Sequence, residues 1–359
     1  PDRAPRLRES GMNEQAGRAG PGSGPGGVPS AIALSPILSA RYRQSDLHRI
    51  AEAAPGSRLV SVSLEGLADG PLDDVEVLLR GPLPAGVFDR LIARCPDLAW
   101  VHSATAGVER VLTAAAVERG LVISNARGVF SAPIAEYVVM MILAVSRRLP
   151  QLLELQRERT WQPLEATEMR DLTIGVVGLG SIGRAVAGLA SAFGSRVIAT
   201  RRRDDAGTAG GPGTDALPDS VEVLAAHALP DLLARSDFVV LALPLTTETE
   251  DLFDEQRLSL MKSSAWLINV ARGRLVDERA LVRALRDGTI RGAVLDTLRD
   301  EPLAADSPLY DVPGLIITPH TSWTSGRVLD RSIGLFCENI ARFRRGDVLL
   351  NAVDPKLGY

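Results

Sequence analysis

One stretch of the chain strongly restricts how it can fold: residues 172–203, LTIGVVGLGSIGRAVAGLASAFGSRVIATRRR. Gly178, Gly180 and Gly183 have the spacing G-x-G-x-x-G, with a β-branched apolar run before them and a helix rich in small residues after them. In such a turn the first glycine permits a tight bend, the second lets backbone approach a pyrophosphate, and the third lets the helix pack against the strand. The stretch therefore predicts a strand, glycine turn, helix and second strand that bind a dinucleotide.

The first turn of the predicted helix adds two residues to this site. Ser181 and Ile182 follow Gly180 directly. A helix N-terminus presents free N–H groups and the positive end of its dipole to phosphates. Because isolated glycine motifs also occur in ordinary turns, the prediction depends on the flanking strands. The second strand, 196–200, arrives at the expected distance, so Ser181 and Ile182 are assigned to the cofactor site with the three glycines.

Composition excludes several classes of partner. The 359 residues suggest two domains, and the hydrophobic fraction of 45% is ordinary for a globular protein. A net charge of −4 gives no electrostatic reason to expect nucleic acid or an anionic membrane as a partner. No apolar run reaches the ~18 residues that span a bilayer. Cys95 and Cys337 lie far apart without metal-ligand spacing, which predicts a reduced, cytoplasmic protein without a structural disulfide or a metal site.

Short apolar runs alternate with helical stretches, a pattern that predicts parallel sheets wrapped by helices. The predicted strands are 31–34, 59–62, 75–79, 99–103 and 121–124 in a first unit, and 173–177, 196–200, 238–242, 265–269, 292–296 and 315–318 in a second. The predicted helices include 45–54, 85–93, 108–119, 132–148, with Ser131 as N-cap and Pro133 in its first turn, and 325–345. The fold class is therefore α/β, with two Rossmann-like doubly wound parallel-sheet domains and an active-site cleft between them.

The same pattern predicts the domain boundaries. Residues 1–30 are rich in Gly, Pro, Ser and Arg, which favours a disordered leader. Residues 31–131 together with 321–353 form a discontinuous substrate domain, because the last helix has no place in a completed nucleotide domain. Residues 132–320 form the dinucleotide-binding domain, including the long helix as the hinge. A Gly/Pro-rich loop at 204–218 is expected to be mobile and exposed.

Four residues that can carry chemistry follow predicted strands of the second unit. Arg272 lies just beyond 265–269, Asp296 ends 292–296, Glu301 comes five residues later, and His320 lies just beyond the last strand. In an open α/β sheet, ligands bind outside the carboxyl ends of the strands. We therefore expect all four side chains at one edge, beside the nicotinamide.

These residue types suit the reduction of a 2-oxo acid. An arginine can hold a carboxylate in a two-pronged contact, and a hydride arriving at the carbonyl leaves an alkoxide that histidine can protonate. Glu301 would fix the ring of His320 by a hydrogen bond, and Asp296 would accept one from the nicotinamide carboxamide. Alone, Arg272 reads as a surface ion-pair residue, Asp296 as a turn former and His320 as a structural histidine. Their succession after a nucleotide motif favours the catalytic interpretation.

Over nearly all of residues 31–353, the chain resembles the D-isomer-specific 2-hydroxyacid dehydrogenases. The motifs that carry the resemblance are WVHSATAGVE (100–109), GVFSAPIAEYVV (128–139), VVGLGSIGR (176–184), LALPLTTETEDLF (241–253), MKSSAWLINVARGRLVDE (261–278), LDTLRDEPL (295–303) and TPH (318–320). The resemblance implies that Arg272, Glu301 and His320 are the catalytic trio and that Asp296 binds the carboxamide. It further implies a homodimer formed through the helix at 132–148.

The resemblance also implies further ligand contacts. Thr105, Ala106 and Gly107 match the loop whose backbone N–H groups hold the substrate carboxylate, a role that a glycine-containing turn can fill on physical grounds alone. Pro244 and Thr249, within LALPLTTETEDLF, are assigned to the cofactor site. Three other residues, Arg80, Arg127 and Trp323, are open candidates for the pocket, with structural or surface roles as the alternative.

One departure from the family pattern concerns the cofactor. Members that bind NAD carry an acidic residue at the end of the second strand, whereas here Arg201, Arg202 and Arg203 follow VIAT. Guanidinium groups bind a 2′-phosphate, which an acid would repel. The sequence thus predicts NADP(H) in preference to NAD(H). The alternative is a solvated arginine run with Asp204 or Asp205 as the acid.

The predicted function is an NADP(H)-preferring oxidoreductase that interconverts a small 2-oxo acid and its D-2-hydroxy acid, like glyoxylate and hydroxypyruvate reductases, with His320 as general acid and base. One alternative is a nucleotide-sensing scaffold like the corepressors that resemble this family. Another is a phosphite dehydrogenase on the same fold. Formate dehydrogenases of the fold carry glutamine in place of the catalytic glutamate, so Glu301 disfavours that activity.

Overall fold

A computed structural model describes residues 26–37, 42–202 and 217–355. The greater part of the predicted leader, residues 1–25, lies outside the described residues. So do Arg203 and most of the predicted loop at 204–218, including Asp204 and Asp205. The division into domains stays a prediction. The structure does describe the two sheets that the two predicted domains would contain.

Five parallel strands form the first sheet. They are β1 (Ala31–Leu34), β2 (Arg58–Ser61), β3 (Val75–Arg80), β4 (Trp100–Ser103) and β5 (Val122–Asn125), in the spatial order β2-β1-β3-β4-β5. The helices between them are α1 (Gln44–Ala53), α2 (Ala85–Arg94) and α3 (Ala114–Glu118). Side chains along β1 alternate between two apolar cores, since Ala31 and Ala33 pack with α2 while Ile32 and Leu34 pack with α1. The first sheet is thus covered on both faces.

Two helices join this sheet to the next, α4 (Ser131–Ser146) and α5 (Leu149–Arg157). Seven parallel strands then form the second sheet: β6 (Thr173–Val177), β7 (Arg196–Arg201), β8 (Glu222–Ala225), β9 (Phe238–Leu241), β10 (Trp266–Asn269), β11 (Gly292–Leu295) and β12 (Leu315–Ile317). Their order is β12-β11-β10-β9-β6-β7-β8, so the strand order reverses at β6. The accompanying helices are α6 (Ser181–Ala192), α7 (Leu229–Arg235), α8 (Glu255–Ser259) and α9 (Glu278–Arg286).

The last helix, α10 (Val328–Arg345), leaves the second sheet and packs against α1 of the first. Ile333, Phe336 and Ile340 of α10 are fully buried in the same apolar core as Ile50 of α1. This placement agrees with the sequence-based expectation of a returning helix. The predicted α/β fold class is confirmed, because both sheets are parallel throughout and helices cover their faces.

Every predicted strand is present, with boundaries within one residue of those expected, but two predictions about helices were wrong and one edge strand was not predicted. The helix expected at 108–119 is only α3, because the Thr113 side chain accepts a hydrogen bond from the N–H of Ala116 and starts the helix there. Ser131 is the first residue of α4 rather than its N-cap, which is Phe130. Strand β8 was not predicted, since its residues alternate between half-buried and exposed at the sheet edge.

The segment after α4 was also not predicted to be helical. Arg148 has a left-handed backbone with φ of 61°, and Pro150 stands in the first turn of α5, so the chain breaks and restarts there. None of the helices in the described ranges combines the length and the apolar character that a bilayer crossing requires. Cys95 and Cys337 are both free thiols.

Candidate active site

The carboxyl ends of three neighbouring strands bring the predicted catalytic residues to one edge of the second sheet. In register, Asn269 of β10 pairs with Leu295 of β11, which pairs with Ile317 of β12. Arg272, Asp296 and His320 therefore follow strand ends that lie side by side. The topology juxtaposes these residues as the sequence predicts, and their chemical roles stay predictions.

His320 and Glu301 form a direct pair. Nδ1 of His320 lies 2.8 Å from Oε2 of Glu301, whose other carboxylate oxygen accepts a 2.9 Å hydrogen bond from the backbone N–H of Leu298. His320 has a left-handed backbone with φ of 49°, an uncommon conformation for a residue other than glycine. Since Nδ1 is committed to Glu301, Nε2 is the ring nitrogen that remains available to a ligand.

Asp296 is buried and its carboxylate is already occupied by the segment that carries His320. Oδ1 accepts hydrogen bonds from the hydroxyl of Thr318, at 2.5 Å, and the backbone N–H of Thr321, at 2.9 Å. Oδ2 accepts one from the N–H of Ser322 at 3.0 Å. Asp296 therefore fixes the backbone on both sides of His320. The contact of Asp296 with a carboxamide stays a prediction.

Arg272 joins this edge to the first sheet. Its Nε donates to Oε1 of Glu109 at 3.0 Å, and its Nη1 donates to the carbonyl of Ala271 at 2.8 Å. Gly107 lies directly below the ion pair, because a Cβ on Gly107 would come within 2.0 Å of Nη2 of Arg272 and 2.5 Å of Oε2 of Glu109. A side chain at position 107 would therefore require the ends of the Arg272 and Glu109 side chains to move apart from this loop.

The loop predicted to hold the substrate carboxylate follows β4 of the first sheet. The hydroxyl of Thr105 donates to the carbonyl of Gly107 at 3.0 Å, and the side-chain amide of Asn125 donates to the carbonyl of Ala106 at 2.8 Å. The N–H groups of Ala106 and Gly107 have no acceptor among the residues that the structure describes. The loop thus presents unpaired donors beside Arg272, as carboxylate binding requires.

The glycine turn lies between β6 and α6, where the strand order of the second sheet reverses. Gly178 has φ of 101°, a conformation that favours glycine, and a Cβ on Gly183 would lie 2.0 Å from the carbonyl oxygen of Gly178. Gly180 is the N-cap of α6, and the space next to its Cα is open. Open space beside Gly180, at the start of the helix whose first N–H groups belong to Ser181 and Ile182, fits a pyrophosphate.

Two neighbouring segments complete the predicted cofactor site. Arg201 is the last residue of β7, whose carboxyl end contacts the glycine turn through a 3.2 Å hydrogen bond from the N–H of Gly178 to the carbonyl of Thr200. Arg202 forms an exposed ion pair with Glu248, with 3.4 Å between Nη1 and Oε2. The loop after β9 contains Pro244 and Thr249, and the Thr249 hydroxyl donates to the Pro244 carbonyl at 2.8 Å.

The three open candidates for the pocket make structural contacts. Arg80 is buried, donates to the carbonyls of three residues and lies over the ring of Phe88, and burial lowers the pKa of its guanidinium to about 10. Arg127 donates from Nε to the side-chain oxygen of Asn351, and Trp323 meets the ring of Phe130 edge-on. These contacts support the structural alternative for all three.

Sequence reasoning did not single out three residues that connect, directly or through one another, to Arg272 or Asp296. Glu109 binds Arg272, and Tyr137 and Thr318 form a hydrogen-bonded chain to Asp296. Each lies inside a quoted motif, AGVE, AEYVV or TPH, so a signal was present. Their partners are distant in sequence, however, and the pattern of apolar residues does not reveal such contacts.

Comparison with known proteins identifies the relatives of this chain. The family model "D-isomer specific 2-hydroxyacid dehydrogenase, NAD binding domain" matches residues 139–322. A glyoxylate reductase from Korarchaeum cryptofilum is 31% identical over 315 residues, which cover 85% of this chain and 88% of that protein.

Solved structures agree with this comparison. A D-isomer specific 2-hydroxyacid dehydrogenase from Xanthobacter autotrophicus Py2, in complex with NADPH, superposes with a TM-score of 0.79 at 30% identity, covering 94% of this chain and all of that one. An NADPH-dependent glyoxylate/hydroxypyruvate reductase from Sinorhizobium meliloti gives a TM-score of 0.76 at 26% identity, covering 92% of this chain and all of that one. The similarity therefore extends over both sheets.

The packing of the glycine turn predicts opposite effects for two identical substitutions in α6. Gly183→Ala is expected to lower the free energy of unfolding by about 1–3 kcal/mol, because its methyl group would meet the Gly178 carbonyl. Gly188→Ala, with nothing within 4 Å of the new methyl group, is expected to raise it by about 0.5–1 kcal/mol. Urea unfolding without cofactor measures both. Equal effects of the two substitutions would contradict the packing described here.

Proposed function

Because the chain belongs to the D-isomer specific 2-hydroxyacid dehydrogenase family, we propose that it reduces a small 2-oxo acid to the D-2-hydroxy acid and catalyses the reverse reaction. Members of this family are NAD(P)-dependent oxidoreductases that act on CH–OH groups. Glyoxylate and hydroxypyruvate are the first substrates to test, since the relatives named above act on them. The observation that carries the proposal is the hydrogen bond between His320 and Glu301, which leaves Nε2 of His320 available.

Each step of the proposed reaction has a residue that suits it. Arg272 and the N–H groups of Ala106 and Gly107 bind the substrate carboxylate, because they supply a planar cation and unpaired donors at the same place. A reduced nicotinamide dinucleotide, when bound at the glycine turn, supplies the hydride for the carbonyl carbon. His320 donates a proton from Nε2 to the carbonyl oxygen, and Glu301 holds the ring through Nδ1.

Replacing His320 tests this assignment. His320→Ala is expected to lower kcat for glyoxylate or hydroxypyruvate by roughly two to four orders of magnitude, the usual contribution of a general acid. Cofactor affinity, measured by fluorescence titration, is expected to stay within about threefold of the wild-type value. His48→Ala serves as the matched control, because His48 is exposed on α1 in the first unit. Near-normal turnover of His320→Ala would exclude His320 as the general acid.

The cofactor proposed for this reaction is NADP(H) rather than NAD(H). Its support is the charge at the end of β7, where Arg201 and Arg202 follow one another beside the glycine turn. Guanidinium groups form charge-assisted hydrogen bonds with phosphate oxygens, and the 2′-phosphate distinguishes the two cofactors. The complexes of relatives with NADPH are consistent with this proposal.

The arginines make the cofactor proposal testable. Replacing Arg201 and Arg202 together with Ala is expected to raise KM for NADPH about tenfold or more, since a charge-assisted bond is lost, and to leave KM for NADH nearly unchanged. Arg201→Asp is expected to turn the preference in kcat/KM toward NADH. Arg196→Ala, at the opposite end of the same strand, is the control. A wild-type enzyme that favours NADH would contradict the proposal.

We further propose a homodimer that uses the region of α4 and α5. Five large apolar side chains are exposed within residues 140–161, and a cluster of such side chains is typical of a protein–protein contact. They are Met140 of α4, Leu149, Leu152 and Leu153 of α5, and Trp161, which is fully exposed in the segment after α5. These exposed apolar side chains on neighbouring segments support a contact with a second copy of the chain.

Charge placed on this patch is expected to dissociate the dimer. Wild-type protein should have a mass near twice the 38.3 kDa of the chain, measured by light scattering after gel filtration. Leu152→Glu combined with Leu153→Glu should shift the mass toward one chain, because two carboxylates would be buried at the contact. Leu67→Glu, at an equally apolar but separate exposed site, should leave the mass unchanged. A monomeric wild type would overturn this proposal.

A further inference from the structure

We propose that Tyr137 is a positioning residue that holds His320 in place through a hydrogen-bonded chain formed by Tyr137, Thr318 and Asp296. The phenol oxygen of Tyr137 lies 2.6 Å from the hydroxyl of Thr318, which lies 2.5 Å from Oδ1 of Asp296. Tyr137 comes from the middle of α4, whereas the other two residues follow β12 and β11. The inference rests on the proposed function, in which His320 is the proton donor.

The direction of each hydrogen bond follows from the number of protons available. Both oxygens of Asp296 accept backbone N–H groups, Oδ1 from Thr321 and Oδ2 from Ser322, and an ionised carboxylate only accepts. The single hydroxyl proton of Thr318 is therefore donated to Asp296. Tyr137 must then donate its phenolic proton to the oxygen of Thr318. Burial, together with the charge of Asp296, raises the pKa of Tyr137 to about 12, so the phenol keeps the proton that this arrangement needs.

The hydrogen-bonded chain acts on His320 because the three residues that donate to Asp296 lie on either side of His320 in the sequence. Thr318 lies two residues before His320, and Thr321 and Ser322 lie immediately after it. The backbone at His320 is in the left-handed region, which the surrounding contacts have to maintain. Holding this backbone keeps Nδ1 at 2.8 Å from Glu301 and keeps Nε2 directed away from it. Loss of the Tyr137 hydroxyl would leave Thr318 without its donor and loosen the segment.

Substitutions within this chain make the proposal testable. Tyr137→Phe is expected to lower kcat with glyoxylate or hydroxypyruvate by roughly tenfold, the effect of about one hydrogen bond, with KM for NADPH within about twofold. Thr318→Val should act similarly, whereas Thr318→Ser keeps the hydroxyl and should restore kcat. The double variant Tyr137→Phe with Thr318→Val should be no worse than Thr318→Val alone, because both interrupt one chain.

The protein contains a matched control for the loss of a tyrosine hydroxyl, outside this hydrogen-bonded chain. Tyr42 donates from its phenol to the carbonyl of Ser35 at 2.6 Å, in the first unit and outside the proposed site. Tyr42→Phe therefore removes a bond of the same length and is expected to leave kcat unchanged. An equal loss of kcat in both Phe variants would mean that Tyr137 acts only through general stability, and would overturn the proposal.

A spectroscopic measurement separates this proposal from the proposed reaction. The ring cross-peak of His320 in a ¹H–¹³C spectrum, assigned by its loss in His320→Ala, reports the ring environment without any substrate. We expect it to shift in Tyr137→Phe and Thr318→Val and to stay in place in Thr318→Ser and Tyr42→Phe. An unmoved peak in folded Tyr137→Phe would overturn the positioning role. Absence of wild-type turnover with any 2-oxo acid would instead overturn the proposed function, and the spectrum would still decide the role of Tyr137.

Discussion

The guanidinium of Arg272 lies so close to Gly107 that a methyl group there would come within 2.0 Å of Nη2. This approach brings a loop from each sheet into contact, and the ion pair with Glu109 spans the same point. Gly107 contributes to this contact through its lack of a side chain rather than through its backbone conformation, because its φ is not positive. The proposed carboxylate site depends on this contact, because the loop donors and the guanidinium belong to different sheets and would have to meet to bind one carboxylate.

Three carboxylates each hold a different group at this edge. Glu109 binds a guanidinium, Glu301 binds an imidazole, and Asp296 binds the hydroxyl and the backbone around His320. Each partner would otherwise be free to rotate or move, and a fixed side chain loses less entropy when a ligand binds. The two contacts that orient His320 act on different parts of it, because Glu301 binds the ring and Asp296 binds the backbone beside it. Such preorganisation is what proton transfer to a defined atom requires.

The strands and the residues at their ends were predictable from the sequence because they depend on local signals. A buried parallel strand reads as a short apolar run, and the residue that ends it is found by counting. Strand β8 lacked this signal because it is an edge strand with alternating exposure. Tyr137 could not be predicted as a partner of Thr318, since 181 positions separate them and only the packing of α4 against the second sheet brings them together. Sequence patterns thus located the edge of the second sheet that carries the candidate residues. The contacts between their side chains could be identified only from the folded structure.

The ion pair between Arg202 and Glu248 bears on the choice of cofactor. It joins two exposed side chains 46 positions apart, so no local sequence pattern could reveal it. An exposed pair contributes only about 0–1 kcal/mol, because water and salt screen the charges. A charge-assisted bond to a phosphate is worth about 1.5–3 kcal/mol. The pair with Glu248 would therefore oppose the proposed contact of Arg202 with a 2′-phosphate only weakly. The ion pair with Glu248 is thus compatible with the proposed NADP(H).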